Sequence, residues 1–437
     1  MKKSLAALAL AALAFAASFG RAEKARAPLF RDFVGLNGHT VAFKPDLYAP
    51  VCRIVRDYHP VPWDFDQDTS VLPEWPFARN RVSWEDVYGS WHKAGLRPSV
   101  CLMIDEMKET WRDMEKDARA YAKSFAENFG PGGRWPYVEW VEIGNEPGLY
   151  SDEEYQRLFK AMAEGVREGN PRLKIATCNV EAEKSDRYWK GADVFKGLEN
   201  LYDVIQIHRY AIEEGWPTWR RSYPENPQVP YLSAIQHMLD WRDANVPGKP
   251  LWVTEFGWDT STQKPAADGE WAKWIGSTDE EQARYLVRSF LIFARMGVDK
   301  AFTYFFNDDD EPKLHAASGL TRRYQPKPAF HAVAWMLAAL KDHRFAKAHL
   351  ESLEKGYLYE LSPEKPDSPL IFAAWHPTQE DAIISLPAGT HAVEKIERMP
   401  LAAGVAESVA IPEIKNGQLS LPAGQRPLFV WLRPSAR

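Results

Sequence analysis

Short apolar runs alternate with longer amphipathic segments along the chain from residue 33 to residue 340. The runs lack a regular alternation of polar and apolar positions, which is typical of strands that are buried on both faces. Eight runs are predicted to be strands of this kind: Phe33–Leu36, Val51–Val55, Pro98–Ile104, Val138–Ile143, Lys174–Cys178, Val204–Ile207, Leu251–Thr254 and Ala301–Phe306. The pattern therefore favours a parallel sheet covered by helices.

The segments between these runs carry signals for the starts and ends of helices. Ser83 to Asp86, Ser151 to Glu154 and Thr278 to Glu281 have the sequence pattern of capping boxes. Glycines that fit left-handed C-caps precede the following strands, at Gly95, Gly169 and Gly297. A strand followed by a helix, repeated eight times, predicts an α/β fold of the (β/α)8 TIM barrel type. A doubly wound sheet is the alternative, but the sequence contains neither its G-x-G-x-x-G fingerprint nor a P-loop.

The sequence pattern changes after about residue 345. From there on, short runs with the composition of β-strands are separated by turns, including Pro-Ala-Gly at 387–389 and 422–424. We predict a barrel over residues 23–345 and a small antiparallel β-sandwich domain over residues 346–437. Aromatic residues alternate with aliphatic ones in these strands, at Tyr357, Tyr359, Trp375 and Trp431. This alternation favours a domain that packs on the barrel over a separate sugar-binding module.

The first residues have the features of a signal peptide. Lys2 and Lys3 precede the uncharged run from Leu5 to Phe19, and small residues occupy the positions before a cleavage site near Ala22. We expect residues 1–22 to be removed and the protein to be exported to the periplasm or the medium. Neither this run nor any later one is long enough to predict a membrane span.

Composition excludes several classes of function. The 437 residues include 54 Lys and Arg and 60 Asp and Glu, giving a formal net charge of −6, so nucleic acid is not an expected partner. The three cysteines, Cys52, Cys101 and Cys178, have no zinc or haem spacing and are predicted to be buried thiols. Tryptophan is abundant, with 18 residues, either as packing or as platforms for sugars.

Two carboxylates stand where barrel active sites lie, at the C-terminal ends of strands. The fourth predicted strand ends in Asn145-Glu146-Pro147, and the seventh ends in Thr254-Glu255-Phe256-Gly257. Strands four and seven face each other across a barrel, so both carboxylates can point into one space. Such a pair suits glycosidic bond cleavage, in which one acid protonates the leaving oxygen and the other group attacks or activates water.

These two motifs resemble those of the retaining glycoside hydrolases of clan A, and most closely those of family 39, which includes β-xylosidases, α-iduronidases and exopolysaccharide endoglycosidases. The resemblance covers roughly residues 30 to 345 and also includes Arg56 and His59 on strand two. It implies that Glu146 is the acid/base, that Glu255 is the nucleophile and that a carbohydrate is the substrate, with no cofactor or metal. The chain departs from family 39 xylosidases at Gly144, where they usually have Trp.

Further residues are candidates for contacts with substrate. By the resemblance, Asn145 binds the hydroxyl beside the anomeric carbon, and Arg56 keeps Glu255 ionised through a charge-assisted hydrogen bond. The other candidates at strand ends are His59, His208, Tyr210, Trp258 and Tyr304, and those for outer subsites are Trp63, Trp216 and Trp219. Tyr210 could donate to Glu255, and His208 could bind either the substrate or the same carboxylate. The alternative for His208 is a core histidine with a backbone partner, and the alternative for Trp258 and Tyr304 is core packing. The segment Asn307–Asp310 is predicted to be a solvated acidic rim rather than a calcium loop.

Other functions fit less well. A metal-dependent barrel hydrolase needs His-x-His after strand one, where the sequence has Asn37-Gly38-His39. An aldolase needs a lysine on strand six, and none occurs between Val204 and Tyr210. A non-catalytic polysaccharide-binding protein on the same scaffold remains the main alternative.

Overall fold

The computed structural model describes residues 27–38, 44–389, 391–403 and 406–434. The predicted signal peptide, residues 1–22, lies outside the described residues. Eight parallel strands form the central barrel: β1 Val34–Asn37, β2 Ile54–Pro60, β3 Arg97–Met103, β4 Trp140–Ile143, β5 Lys174–Glu181, β6 Val204–His208, β7 Leu251–Phe256 and β8 Lys300–Thr303. Each strand pairs with the next, and β8 pairs with β1, so the sheet is closed. The predicted TIM barrel is confirmed.

Helices connect most of the strands and form the outer layer. They are α1 Phe30–Phe33, α2 Pro45–Tyr48, α3 Trp84–Lys93, α4 Met114–Phe129, α5 Asp152–Gly169, α6 Leu232–Asn245, α7 Asp279–Met296 and α8 Pro328–Leu340. Only the four-residue α2 follows β1, and a 3-10 turn over Ala192–Phe195 takes the place of a helix after β5. Within the described residues no helix has the length and apolar character needed to cross a membrane.

The ends of two barrel helices are specified by local sequence. Ser151 and Thr278 form reciprocal capping boxes at the starts of α5 and α7, and Gly297 ends α7 in the left-handed region at φ +88°. The prediction for Gly169 is wrong, because this residue is the last one of α5 and is not a left-handed cap. A Cβ atom there would lie 2.3 Å from the carbonyl oxygen of Lys123, so the glycine allows α4 and α5 to pack closely.

The barrel interior has an apolar lower layer and a polar upper layer. The lower layer consists of Ile54, Ala176, Val204, Trp252 and Phe302. Alternate residues of a strand point to opposite faces, so Arg56 and Tyr58 follow Ile54 on the inner face of β2. Polar side chains thus collect at the C-terminal end of the barrel. The three cysteines are buried free thiols, as predicted.

The C-terminal domain contains two antiparallel sheets. Its strands are β9 His343–Ser352, β10 Gly356–Pro363, β11 Leu370–Trp375, β12 Ala382–Pro387, β13 His391–Arg398, β14 Glu407–Ser408, β15 Gln418–Ala423 and β16 Leu428–Pro434. Six strands form one sheet in the order β9-β10-β11-β16-β13-β14, and β12 pairs with β15 in the other. One face of the larger sheet packs on the smaller sheet. Its other face joins the barrel core through Tyr359, Trp375, Phe429 and Trp431.

Candidate active site

A cleft of about 1050 Å³ opens at the C-terminal ends of the barrel strands. This volume slightly exceeds the usual range for ligand pockets, about 300–1,000 Å³, so the cleft has room for more than one sugar ring. Aromatic side chains line its outer parts: Trp63, Tyr188, Trp189, Trp216, Trp219 and Trp271. The three tryptophans expected at outer subsites therefore all face the cleft.

Glu146 and Glu255 lie together on the floor of the cleft, with His208 between them. One carboxylate oxygen of each glutamate and one ring nitrogen of His208 all lie within 4.8 Å of one another. His208 Nδ1 is 2.9 Å from Glu146 Oε1 and 3.6 Å from Glu255 Oε2. The Glu146 side chain is 28% exposed, whereas that of Glu255 is 8% exposed. The structure thus brings the two carboxylates to one point but gives them different environments.

Local irregularities in the backbone aim both glutamates into the cleft. Opposite the β6 pair Ile207 and His208, β7 has Val253 and Glu255, so Thr254 is an extra residue in the strand. A bulge of this kind redirects the side chain that follows it. Before the other glutamate, Gly144 adopts φ +79°, a left-handed conformation that strains other residues. This conformation accounts for a glycine at the position where family 39 xylosidases usually have Trp.

Four side chains keep Glu255 ionised. Arg56 Nη1 donates to Oε1 at 2.9 Å, Tyr58 donates to Oε1 at 2.6 Å, and Tyr210 donates to Oε2 at 2.8 Å. Burial by itself raises the pKa of this carboxyl, but the electrostatic interactions with His208 and Arg56 and the two tyrosine hydrogen bonds outweigh burial and lower the pKa to about 2. Glu255 is therefore an anion at neutral pH.

The Arg56 side chain is only 1% exposed, so it contacts other side chains of the protein and does not reach a ligand in the cleft. Its Nε and Nη2 hold both oxygens of Glu142 at 2.7 Å, and Nη2 also donates to Asn145 Oδ1 at 2.7 Å. The expectation of a direct substrate contact by Arg56 is wrong, whereas its expected contact with Glu255 is present. Because the oxygen of Asn145 accepts from Arg56, its amide NH2 is the group left for a ligand.

His59 does not reach the cleft, so its assignment to the substrate site is wrong. It follows Tyr58 on β2 and points outward to the helix layer. Its Nε2 lies 2.6 Å from Asp64 Oδ2, its Nδ1 lies 2.6 Å from the Tyr88 hydroxyl, and its ring stacks on Trp84 at 3.7 Å. The side chain is completely buried and belongs to the structural core.

The assignment of Trp258 to the substrate site is also wrong. Its side chain is fully buried, and its indole nitrogen donates to the carbonyl oxygen of Ser222 at 2.8 Å. Two residues beyond β7, it packs between Phe256 and Tyr231 instead of presenting a ring face to the cleft. Tyr304, which follows β8, does line the cleft.

The segment Asn307–Asp310 is not the solvated acidic rim that was predicted. Asp308 and Asp310 are 2% and 4% exposed. Lys327 Nζ lies 3.1 Å from Asp308 Oδ2, and Arg322 Nε lies 3.1 Å from Asp310 Oδ1. These ion pairs stabilise the loop between β8 and α8.

Several residues that line the cleft were not predicted from the sequence. Tyr58 could have been found by counting two residues from Arg56 along β2. Asp105, which begins a short 3-10 helix, and the loop residues Arg209 and His315 also line the cleft, and no strand periodicity marks them. Burial raises the pKa of Asp105 to about 6, and the negative charges of Glu146 and Glu142 contribute.

The same three groups that meet on the cleft floor have the ligand types of a metal site. Glu146, His208 and Glu255 supply two carboxylates and an imidazole, which suit zinc. However, Arg56 and two tyrosine hydroxyls already occupy both oxygens of Glu255. A cation would compete with these donors, so the donor set fits a hydrogen-bonded, ionised carboxylate better than a metal ligand.

The fold is shared with solved glycoside hydrolase structures. A family 39 glycoside hydrolase from the gut symbiont Bacteroides cellulosilyticus WH2 matches with a TM-score of 0.68 at 19% identity, over 92% of this chain and 80% of that chain. A glucosidase from Croceicoccus marinus matches with a TM-score of 0.63 at 11% identity, over 94% and 98%. The catalytic domain of GH30 xylanase C from Talaromyces cellulolyticus matches with a TM-score of 0.57 at 11% identity, over 93% and 98%.

No protein-family model matches the sequence, and no curated protein matches it either. At identities of 11–19% the structural likeness establishes the fold. The chain therefore shares the fold of these glycoside hydrolase structures, among them a family 39 enzyme. Its activity has to be argued from the site itself.

Proposed function

We propose that this protein is a retaining glycoside hydrolase that cleaves O-glycosidic bonds of an oligosaccharide or polysaccharide through a glycosyl-enzyme intermediate. The observation that carries the proposal is the pair Glu146 and Glu255, with carboxylate oxygens within 4.8 Å in one cleft. Retaining enzymes hold their two carboxyl groups about 5–5.5 Å apart, while inverting enzymes need about 6.5–9.5 Å to admit water. The spacing supports the retaining mechanism.

The environments of the two carboxylates support different roles. Glu255 is ionised and buried under the cleft, so it attacks the anomeric carbon while the bond to the leaving oxygen breaks. Glu146 is more exposed and reaches the cleft, so it gives its proton to that oxygen. In the second step Glu146 takes a proton from water, which attacks the same carbon and releases Glu255.

The aromatic lining supports a carbohydrate substrate longer than one sugar. Indole faces stack on the apolar faces of sugar rings, and Trp63, Trp216, Trp219 and Trp271 are distributed along the cleft. Trp216 is 59% exposed, which is unusual for tryptophan in the absence of a ligand. We expect these residues to bind sugars on either side of the cleaved bond.

The test uses dinitrophenyl glycosides of several sugars, with release of the phenol as the signal and proton NMR to identify the first anomer formed. The wild type should release the phenol and give a product with the configuration of the substrate. Glu255→Gln should reduce release below detection, while the surface variant His237→Gln should behave as wild type. A first product of inverted configuration would contradict the retaining mechanism.

A non-catalytic polysaccharide-binding protein remains the alternative function. It would bind oligosaccharides in the aromatic cleft without releasing any aglycone, and Glu255→Gln would leave its affinity unchanged. We also propose that the protein is exported by the segment 1–22. Sequencing the N-terminus of the protein secreted by a bacterial host would test this, with cleavage after Ala22 as the expected result.

A further inference from the structure

His315 lies in the loop between β8 and α8 and lines the cleft beside the residues that surround Glu255. Its ring centre is 4.6 Å from that of Tyr210 and 5.9 Å from that of Tyr304, with both pairs in edge-on geometry. Tyr210 is a hydrogen-bond donor to Glu255. The imidazole therefore stands next to the place where a sugar would lie over the nucleophile.

A buried arginine determines which ring nitrogen carries the hydrogen. Arg221 Nη2 lies 3.2 Å from His315 Nδ1. A guanidinium has five donors and no acceptor and does not lose its charge, so the nitrogen that faces it has to present a lone pair. In the neutral imidazole the hydrogen is then on the opposite nitrogen, Nε2.

Arg221 is itself held in one position. Its side chain is 2% exposed, Nη2 lies 2.7 Å from Asp259 Oδ2, and Nη1 donates to the carbonyl oxygen of Gly257. Its guanidinium lies 4.3 Å from the centre of the Tyr210 ring, which adds a cation–π contact. Asp259 in turn accepts a hydrogen bond from Ser318 at 2.7 Å. The arginine is thus fixed behind the imidazole and cannot turn away from it.

Burial, together with the charge of Arg221, keeps His315 neutral. Burial and the nearby Arg221 lower its pKa to about 4, although Asp259 and Glu255 act in the opposite direction and His208 adds to the lowering. An imidazolium would place an N–H against the guanidinium and a second positive charge near the sugar carbon. Because that carbon becomes positive in the transition state, a neutral donor is the better neighbour.

The backbone supports a binding role for this residue. His315 adopts φ +60°, a left-handed conformation that residues with a side chain rarely take. Such conformations cluster at ligand sites, where the surrounding structure holds them in place. Within the described residues no group accepts a hydrogen bond from His315 Nε2, so this N–H is left for a ligand.

We propose that His315 binds substrate by donating a hydrogen bond from Nε2 to a hydroxyl of the sugar over Glu255, and that Arg221 is the positioning residue that fixes this tautomer. The inference rests on the proposed glycosidase function and adds a specificity residue to it. The proposal assigns His315 to the recognition of one particular hydroxyl group. A residue that only packed against its neighbours would not distinguish one hydroxyl from another.

The first experiment compares a series of monodeoxy aryl glycosides, each without one hydroxyl of the preferred sugar. In the wild type, loss of the hydroxyl that His315 contacts should lower kcat/KM by about tenfold to a hundredfold. His315→Phe keeps a ring against Tyr210 but has no donor, so it should lower kcat/KM for the parent sugar and abolish the penalty for that one deoxy analogue. His315→Gln, which retains an N–H donor, should restore part of the discrimination.

A uniform loss of activity over the whole series in His315→Phe would overturn the proposal, because a packing defect affects all analogues equally. If the wild type cleaves none of the glycosides, the proposed function fails, and the same series is then measured by binding affinity. His237→Phe, at an exposed histidine, is the matched control.

The second experiment needs no activity. Protein with 15N-labelled histidine gives long-range proton–nitrogen correlations, and comparison with His315→Gln assigns one of the 11 histidines to position 315. We expect the neutral tautomer with hydrogen on Nε2 throughout the range from about pH 5 to pH 8. Hydrogen on Nδ1, or a titration within this range, would overturn the proposal.

Discussion

The guanidinium of Arg56 lies 2.9 Å from Glu255 Oε1 inside the barrel, where its side chain is 1% exposed. The same guanidinium binds both oxygens of Glu142. One cation therefore faces two buried carboxylates, and two tyrosine hydroxyls supply the remaining hydrogen bonds to Glu255. This arrangement keeps Glu255 ionised in a position from which water is largely excluded, which is what the proposed double displacement needs from its nucleophile.

The first prediction distinguishes the roles of the two glutamates. Glu146→Ala should still form the glycosyl-enzyme from a dinitrophenyl glycoside, because that leaving group needs no proton, but its hydrolysis should be slowed about 10²- to 10⁴-fold. Azide should restore turnover and give a glycosyl azide of retained configuration. Glu255→Ala with azide should instead give the inverted azide, since the small anion then occupies the place of the missing nucleophile. The reverse pattern would show that the roles are exchanged.

The second prediction concerns the dependence of activity on pH. A carboxyl whose pKa is lowered stays ionised above that pKa, so activity that needs ionised Glu255 is lost only as the pH falls towards about 2. Tyr210→Phe removes one hydrogen bond to the anion and should raise the pKa of Glu255 by roughly one to two units. The acid limb of kcat/KM should move to higher pH by the same amount.

The control for this prediction is Tyr231→Phe. Tyr231 is another buried tyrosine, but its hydroxyl donates to Ser289 at 3.3 Å, away from the two glutamates. Its substitution should leave the acid limb in place. An unchanged acid limb in Tyr210→Phe would mean that Tyr210 does not stabilise the ionised form of Glu255.

The sequence predicted the barrel, its strands and the two glutamates because each of these has a local signal. Short, continuous apolar runs mark strands that are buried on both faces, and polar motifs directly after such runs mark the active end of a barrel. The C-terminal domain was also predicted from its short runs, although β9, β13 and the two-residue β14 were not identified. These three strands are rich in polar and charged residues and at least half-exposed, so hydrophobicity does not reveal them.

The substrate site was predicted less well because it depends on the direction of each side chain. On β2 the inner face carries Arg56 and Tyr58, and the outer face carries His59, so a motif that includes all three residues does not show which ones meet the cleft. On β7 the bulge at Thr254 interrupts this alternation. A bulge has no reliable sequence signal, and loop residues such as His315 have no periodicity at all.

The third prediction tests the structural role of His59. His59→Phe keeps a ring that can stack on Trp84, but it removes one hydrogen-bond partner from the buried carboxylate of Asp64. The free energy of unfolding, measured by urea denaturation, should fall by about 1–3 kcal/mol, while kcat of the folded protein remains close to that of the wild type. Tyr121→Phe removes another donor to Asp64 and should have a similar effect. A large loss of kcat with unchanged stability would assign His59 to the reaction instead.

The contact between the barrel and the C-terminal domain contains a buried ion pair. Arg288 of α7 donates from Nε to Glu225 Oε1 at 2.8 Å, and both side chains are completely buried. Trp375 of β11 donates from its indole nitrogen to the same oxygen at 2.7 Å and stacks on Tyr357 with ring centres 5.0 Å apart. On the neighbouring helix α8, Trp335 stacks on Phe429 at 4.2 Å. The domain is therefore attached through aromatic packing and a shared polar network, as expected for a structural support.

The last prediction is that the two domains unfold together and that Trp375 couples them. Trp375→Ala leaves a cavity in the interface and removes a donor from buried Glu225, so the free energy of unfolding should fall by about 3–5 kcal/mol in a single calorimetric transition. Activity well below the transition temperature should be retained, because Trp375 lies outside the cleft. Ile383→Ala, at a side chain that is 67% exposed, should change neither property. Two separate transitions, or a stable and fully active protein after deletion of residues 346–437, would show that the C-terminal domain is an independent module and does not support the barrel.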